Sequence, residues 1–140
     1  MRKLLLPLAL LSTEWASAQT ACPVPKLKAF HNKQEINTTG SAVVPTISLT
    51  LTNDPACATP VSYQIKKAEM ALIRGRRPVL PARLIQGSEV GMASFAKYAQ
   101  PGDRIYIEVL DVVATTAGGQ PKPYQMVPEQ NIHLNWVLTE

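Results

Sequence analysis

Hydrophobic and polar residues alternate along much of this chain, and the longest alternating run, Arg104 to Val113, starts just after the turn signal Pro101-Gly102. Proline fixes φ at the first central position of a tight turn, and glycine tolerates the positive φ that a type II turn requires next. Ile105, Ile107 and Val109 fall on one side of the run, Arg104, Tyr106 and Glu108 on the other, as in a half-buried strand. Fully extended, it spans roughly 30 Å. From Leu110 the pattern is apolar on both sides and interrupted only by Asp111, which predicts a bulge near Val109 or a strand end covered on both faces. The cover would be a nearby helix or a partner. Bare Leu110 and Val112 would mark a partner surface, and burial of both would leave the strand as scaffold.

The same period of two recurs from end to end. Lys26 to Phe30 alternates like a short edge strand with its lysines toward water, and His31-Asn32-Lys33-Gln34 follows as a polar turn. Ser41 to Thr52 is predicted as a strand with Ile47, Leu49 and Leu51 on one face; Pro45 confines its beginning to an edge or bulge position. In Val61 to Ile73 the phase reverses at Lys66-Lys67. That predicts one strand with a bulge or two strands with a short break, and a helix over Lys66 to Ile73 is the competing reading. Arg74 to Pro78 reads as a basic turn, Val79 to Ile85 as the return strand of a hairpin, and Gly87 to Gly91 as a loop. Met92 to Ala99 is the one predicted helix, with Met92, Phe95 and Ala99 on one face, placed to cap the mouth of a sandwich. Gly118-Gly119 suits a hairpin loop, and Ile132, Leu134, Trp136 and Leu138 alternate in a last strand. Short strands at this spacing with Gly/Pro turns predict a mainly β fold, an immunoglobulin-like β-sandwich with one short helix.

Composition places the chain in a compartment. Arg2 and Lys3, the apolar stretch Leu4 to Leu11 and the small-residue site Ala16-Ser17-Ala18 have the order of a secretory signal peptide, residues 1–18. A lipoprotein acylated at Cys22 is the weaker reading, because Gln19-Thr20-Ala21 has no large aliphatic residue three before the cysteine. Residues 19–140 then suffice for a single domain. At 46% hydrophobic and 17% charged the whole chain has a globular balance, and no second apolar stretch reaches membrane length. Removing the leader lowers the net charge from +4 to about +3, too mild an excess to imply nucleic acid or membrane as a partner. Export makes a Cys22–Cys57 disulfide the natural reading; closing a loop of about 35 residues, it would be worth roughly 3.5 to 4 kcal/mol. A metal or redox pair is the alternative, with only His31 and His133 as further soft ligands.

Candidate chemistry is sparse. Glu108 and Asp111, three apart, face opposite ways in a regular strand and form no carboxylate pair. Asp103 reads as a turn residue bonding its own backbone, and His31 and His133 as surface histidines. No catalytic residue, metal site or cofactor is expected. Charge concentrates in Lys66, Lys67, Arg74, Arg76, Arg77 and Arg83, relieved only by Glu69. These are the candidate binding residues, for a polysaccharide or another anionic ligand; a solvated hairpin whose arginines discourage edge pairing is the plainer reading. Nucleic acid is disfavoured, because no aromatic stacking set accompanies the basic residues.

Two stretches carry a resemblance. Glu69-Met70-Ala71-Leu72-Ile73-Arg74-Gly75, a short helix, Gly102-Asp103-Arg104-Ile105-Tyr106-Ile107-Glu108 and a glycine-containing hairpin at Ala117-Gly118-Gly119-Gln120 follow one another here. This order resembles the C-terminal periplasmic domain of the gliding-motility and type IX secretion protein GldM, from Tyr63 to roughly Met126. Proteins of that type carry a membrane helix and further domains ahead of this one. The resemblance therefore implies a stand-alone exported relative, periplasmic or secreted, that contacts an envelope or secreted protein partner, and it supplies no catalytic residues. Oligomeric state is not legible.

Overall fold

The computed structural model describes residues 23–57, 61–126 and 131–139. In chain order the elements are β1 (Lys26–His31), β2 (Gln34–Glu35), β3 (Thr46–Thr52), β4 (Val61–Arg74), β5 (Arg77–Pro78), β6 (Arg83–Gln86), β7 (Glu89–Gly91), α1 (Ala93–Tyr98), β8 (Arg104–Thr116), β9 (Lys122–Pro123) and β10 (His133–Val137). The mainly β reading with one short helix holds. One sheet runs β2-β1-β3-β7; the other runs β10-β8-β4-β5, with β6 also paired to β4 and β9 to β8. All of these pairings are antiparallel.

Both sheets turn their apolar rows toward one core. Leu27, Ile47, Leu49 and Val90 come from the smaller sheet, and Met70, Leu72, Ile105, Ile107 and Trp136 from the larger. The β1–β2 turn is made by Asn32 and Lys33, both at positive φ (49° and 68°), the conformation whose twist matches that of the paired strands. Trp136 is fully buried, and its indole N–H donates to Ser41 Oγ at 2.8 Å. Ser41 also bridges Leu138 in parallel, so the last strand is stitched to the segment preceding β3.

The phase reversal in β4 is a bulge within a single strand, and the helical alternative for Lys66 to Ile73 is excluded. Ile65 pairs with Val112, Lys67 with Asp111 and Ala68 with Val109. Lys66 is therefore extra on β4 and Leu110 extra on β8. Each strand reverses its inward face at the same level, which keeps both Ile65 and Ala68, and both Val112 and Val109, in the core. The two indicators for the end of β8 thus separate: Leu110 is 41% exposed and Val112 0%.

Three boundaries differ from expectation. The strand expected over Ser41 to Thr52 begins at Thr46, immediately after Pro45, whose missing N–H cannot enter a ladder. The return strand expected over Val79 to Ile85 is instead two pieces, β5 and β6, and their registers on β4 differ by two residues. Pro81 lies in the gap, where a residue without an N–H does no harm. The loop expected over Gly87 to Gly91 contains β7, which pairs with β3 and buries Val90. One residue of alternation is too short a signal to read, and the pairing sets it. The helix appears as Ala93–Tyr98, with Met92 and Phe95 inserted into the core as a cap. The expected leader and Cys22 lie outside the described residues.

Candidate functional site

Alternation along β4 places Arg74 on the same side as Met70 and Leu72, toward the space between the sheets but at its rim. Across that rim the Pro101-Gly102 turn presents Asp103. Gly102 sits at φ +93°, and the Asp103 N–H donates to the Gln100 carbonyl, closing the turn. Asp103 is only 1% exposed, the one buried charged residue among those described. Arg74 Nε donates to Oδ1 and Nη2 to Oδ2, each at 2.9 Å, a two-pronged pair in which both components are charge-assisted. The Gln100 N–H donates to Oδ2 at 2.9 Å, and Arg74 Nη2 also reaches the Tyr98 carbonyl at the end of α1. The Arg74 hydrogen bonds hold the Asp103 carboxyl below the usual carboxylate range despite its burial, and the same contact raises Arg74.

One side-chain pair thus ties the end of β4, the turn before β8 and the helix cap together. Asp103 does bond its own turn, as expected; its partnership with Arg74, 29 residues away in sequence, was not read from the sequence. Arg104 reinforces the same corner by donating from Nη2 to the Gly75 carbonyl at 3.0 Å.

The basic residues do not converge. Arg74 is committed to Asp103. Arg83, in phase with buried Ile85, donates across the sheets to the Gly91 carbonyl at 3.0 Å. Lys67 stands opposite Asp111 on the outer face of the larger sheet. Lys66, Arg76 and Arg77 are exposed at the bulge and the hairpin turn. The expectation that Glu108 and Asp111 face opposite ways is corrected by the bulge at Leu110. Glu108 pairs with Glu69 and Asp111 with Lys67, so both acids share the outer face, in different rows. His133 lies opposite Glu108 and stacks on Tyr106 with ring centroids 5.5 Å apart. His31 donates from Nδ1 to the Thr46 carbonyl at 2.8 Å and accepts from Asn32, a structural role between β1 and β3. Among the described residues no three His, Cys, Asp or Glu side chains are grouped to hold a metal ion. A cavity of about 220 Å³ beside α1 is lined by Ala42, Val43, Ala96 and Pro101 and contains no titratable side chain.

Compared with known protein families, residues 23–135 match the GldM C-terminal domain. The chain belongs to that family. No curated protein and no solved structure matches it. The GldM C-terminal domain is a structural component of the gliding-motility and type IX secretion machinery on its periplasmic side, and works in protein complexes. In this GldM-family chain the two stretches that carry the resemblance meet in space: Arg74-Gly75 closes β4, Gly102-Asp103 opens β8, and Arg74 and Asp103 are the bonded pair. The signal was present as an Arg-Gly and a Gly-Asp at the ends of two strands, and needed only their antiparallel pairing to be read.

Proposed function

We propose that this chain is an exported, non-catalytic interaction or structural module of the periplasm or cell exterior, accessory to gliding motility or type IX secretion. The observation that carries the reading is the family match over nearly the whole described chain, with the paired Arg74 and Asp103 at its centre. A charge pair whose carboxylate is buried, and which only locks strands and a cap together, suits a rigid scaffold. Capture from envelope fractions tests the reading. Stable, salt-resistant association with motility or secretion components is expected, whereas retention on an anionic glycan without any protein partner would overturn it. Dispersal of the basic residues over several faces argues against the glycan reading.

We further propose the immunoglobulin-like form of the fold within a single domain, residues 19–140, released by cleavage after Ala18. The support is strand order: β1-β3-β7 and β10-β8-β4 correspond to the A-B-E and G-F-C strands of an immunoglobulin sandwich. A Cys22–Cys57 crosslink belongs to the same proposal. Lys26 pairs with Thr52, so the chain segments leading to residues 22 and 57 leave adjacent strands at the same end. Loss of thiol reactivity in the exported protein, restored by reduction after unfolding, is the expected result.

A further inference from the structure

The larger sheet ends, beyond β4, on an edge that the chain blunts unevenly. Pro78 stands in β5 and Pro81 in the gap that follows, so neither position offers an N–H to an incoming strand. β6 has no such guard. The Gly87 N–H donates to the Lys66 carbonyl, and antiparallel bonding alternates from there, so Ile85 and Arg83 bond to β4 while the N–H and C=O groups of Leu84 and Gln86 turn away from it. Among the described residues no strand pairs with β6 on that side. Leu84 is also the most exposed large hydrophobic residue described, at 51%. The edge is flanked by cations at both ends: Arg76 and Arg77 at the hairpin turn, Lys66 and Lys67 at the bulge beside Gln86.

We propose that β6 is a docking edge for an extended, acidic segment of a partner protein, added as a further strand with an apolar residue against Leu84 and carboxylates toward the two cationic pairs. This rests on the interaction-module reading and gives that module a place and a partner chemistry. Main-chain bonds to Leu84 and Gln86 supply generic affinity, and the cationic pairs select for acidic flanks. A second copy of this chain is the wrong occupant, since two such edges would set cationic pairs against one another.

The test uses a capped synthetic peptide of alternating Val and Thr flanked by Glu-Asp pairs, and a Lys-flanked counterpart. Hydrogen exchange of the whole exported protein should show protection of the Leu84 and Gln86 amides by the acidic peptide alone, lost at high salt. Leu84→Pro removes only an N–H that points away from β4, so it should keep the fold and weaken peptide binding about tenfold or more. Should that variant fail to fold, the double reversal Arg76→Glu and Arg77→Glu should invert the preference between the two peptides. Equal binding of both peptides, protection elsewhere, no binding to the wild type, or dimerisation through β6 would overturn the proposal. None of these results touches the interaction-module reading, which stands or falls on envelope capture.

Discussion

The two halves of the β4–β8 ladder belong to the same pair of strands yet differ in what surrounds them. Above the bulge, Ala68 to Arg74 and Arg104 to Val109 have β10 on one side and β5 and β6 on the other; Met70, Leu72, Ile105 and Ile107 are fully buried, and Arg74 and Asp103 close the end. Below it, among the described residues, Val61 to Ile65 and Val112 to Thr116 have only the two-residue β9 beside them, and Tyr63 and Val113 are half-buried. The Asn53 side chain there stands in for a strand, exchanging two hydrogen bonds with the Val61 backbone at 2.8 and 3.1 Å. Continuity of a ladder therefore does not equalise its stability. Neighbouring strands and a closed end decide it.

Truncation in the core should widen that contrast most. Ile107→Ala leaves a cavity in a fully packed position and should cost about 3 to 4 kcal/mol, whereas Val113→Ala, below the bulge and half-buried, should cost about 1 kcal/mol. Urea midpoints at constant slope measure both. Equal losses would mean that the lower half is as tightly held as the upper, and the comparison would fail.

The next largest effect belongs to the closed end. Asp103→Asn keeps the shape but removes the charge that accepts three hydrogen bonds from Arg74 and Gln100, and should cost about 2 kcal/mol at neutral pH. The folded-state pKa of Asp103 is depressed, chiefly by the Arg74 hydrogen bonds. Its contribution is therefore fully present above the unfolded carboxylate pKa of about 3.9, and is lost as pH falls through the lower folded value. Wild type should lose stability faster than the variant in that acid window. Parallel pH profiles would show that the pair does not hold the end shut.

How much of this contrast the sequence discloses follows from which interactions are local. The period of two in Arg104 to Val109, the phase reversal at Lys66-Lys67 and the turn at Pro101-Gly102 are local, and all three appear where the pattern places them. The helix is likewise read correctly, because Met92 and Phe95 carry its apolar face within two turns. β7 and the Arg74–Asp103 pair are products of pairing between segments far apart in sequence, so no window of residues contains them. The faces of Glu108 and Asp111 depart from a regular period of two for a related reason. A bulge changes the face of every residue beyond it, and its exact position depends on the partner strand. Leu110 tests that position at low cost. As the extra residue of β8 it is exposed, so Leu110→Ser should change stability by no more than about 0.5 kcal/mol. A large loss would move the bulge and return Leu110 to the core.

The smallest expected effect lies in the lower half itself. Tyr63 and Tyr124 meet edge to face there, with centroids 5.7 Å apart. Burial raises the pKa of both phenols, and in Tyr63 the neighbouring Tyr124 adds to it. Because the folded state holds these protons more tightly, their contribution is complete below the unfolded value of about 10 and declines as pH rises through the higher folded values. Alkali should therefore loosen the lower half first. Phenolate absorbance should rise together with faster amide exchange around Tyr63 and Val113, while Met70 and Ile107 stay protected. Tyr63→Phe with Tyr124→Phe should abolish that selective opening, since the rings keep their packing and lose only the ionisation. If the upper half opens at the same pH, the bulge does not divide the ladder, and the two halves respond as one cooperative unit.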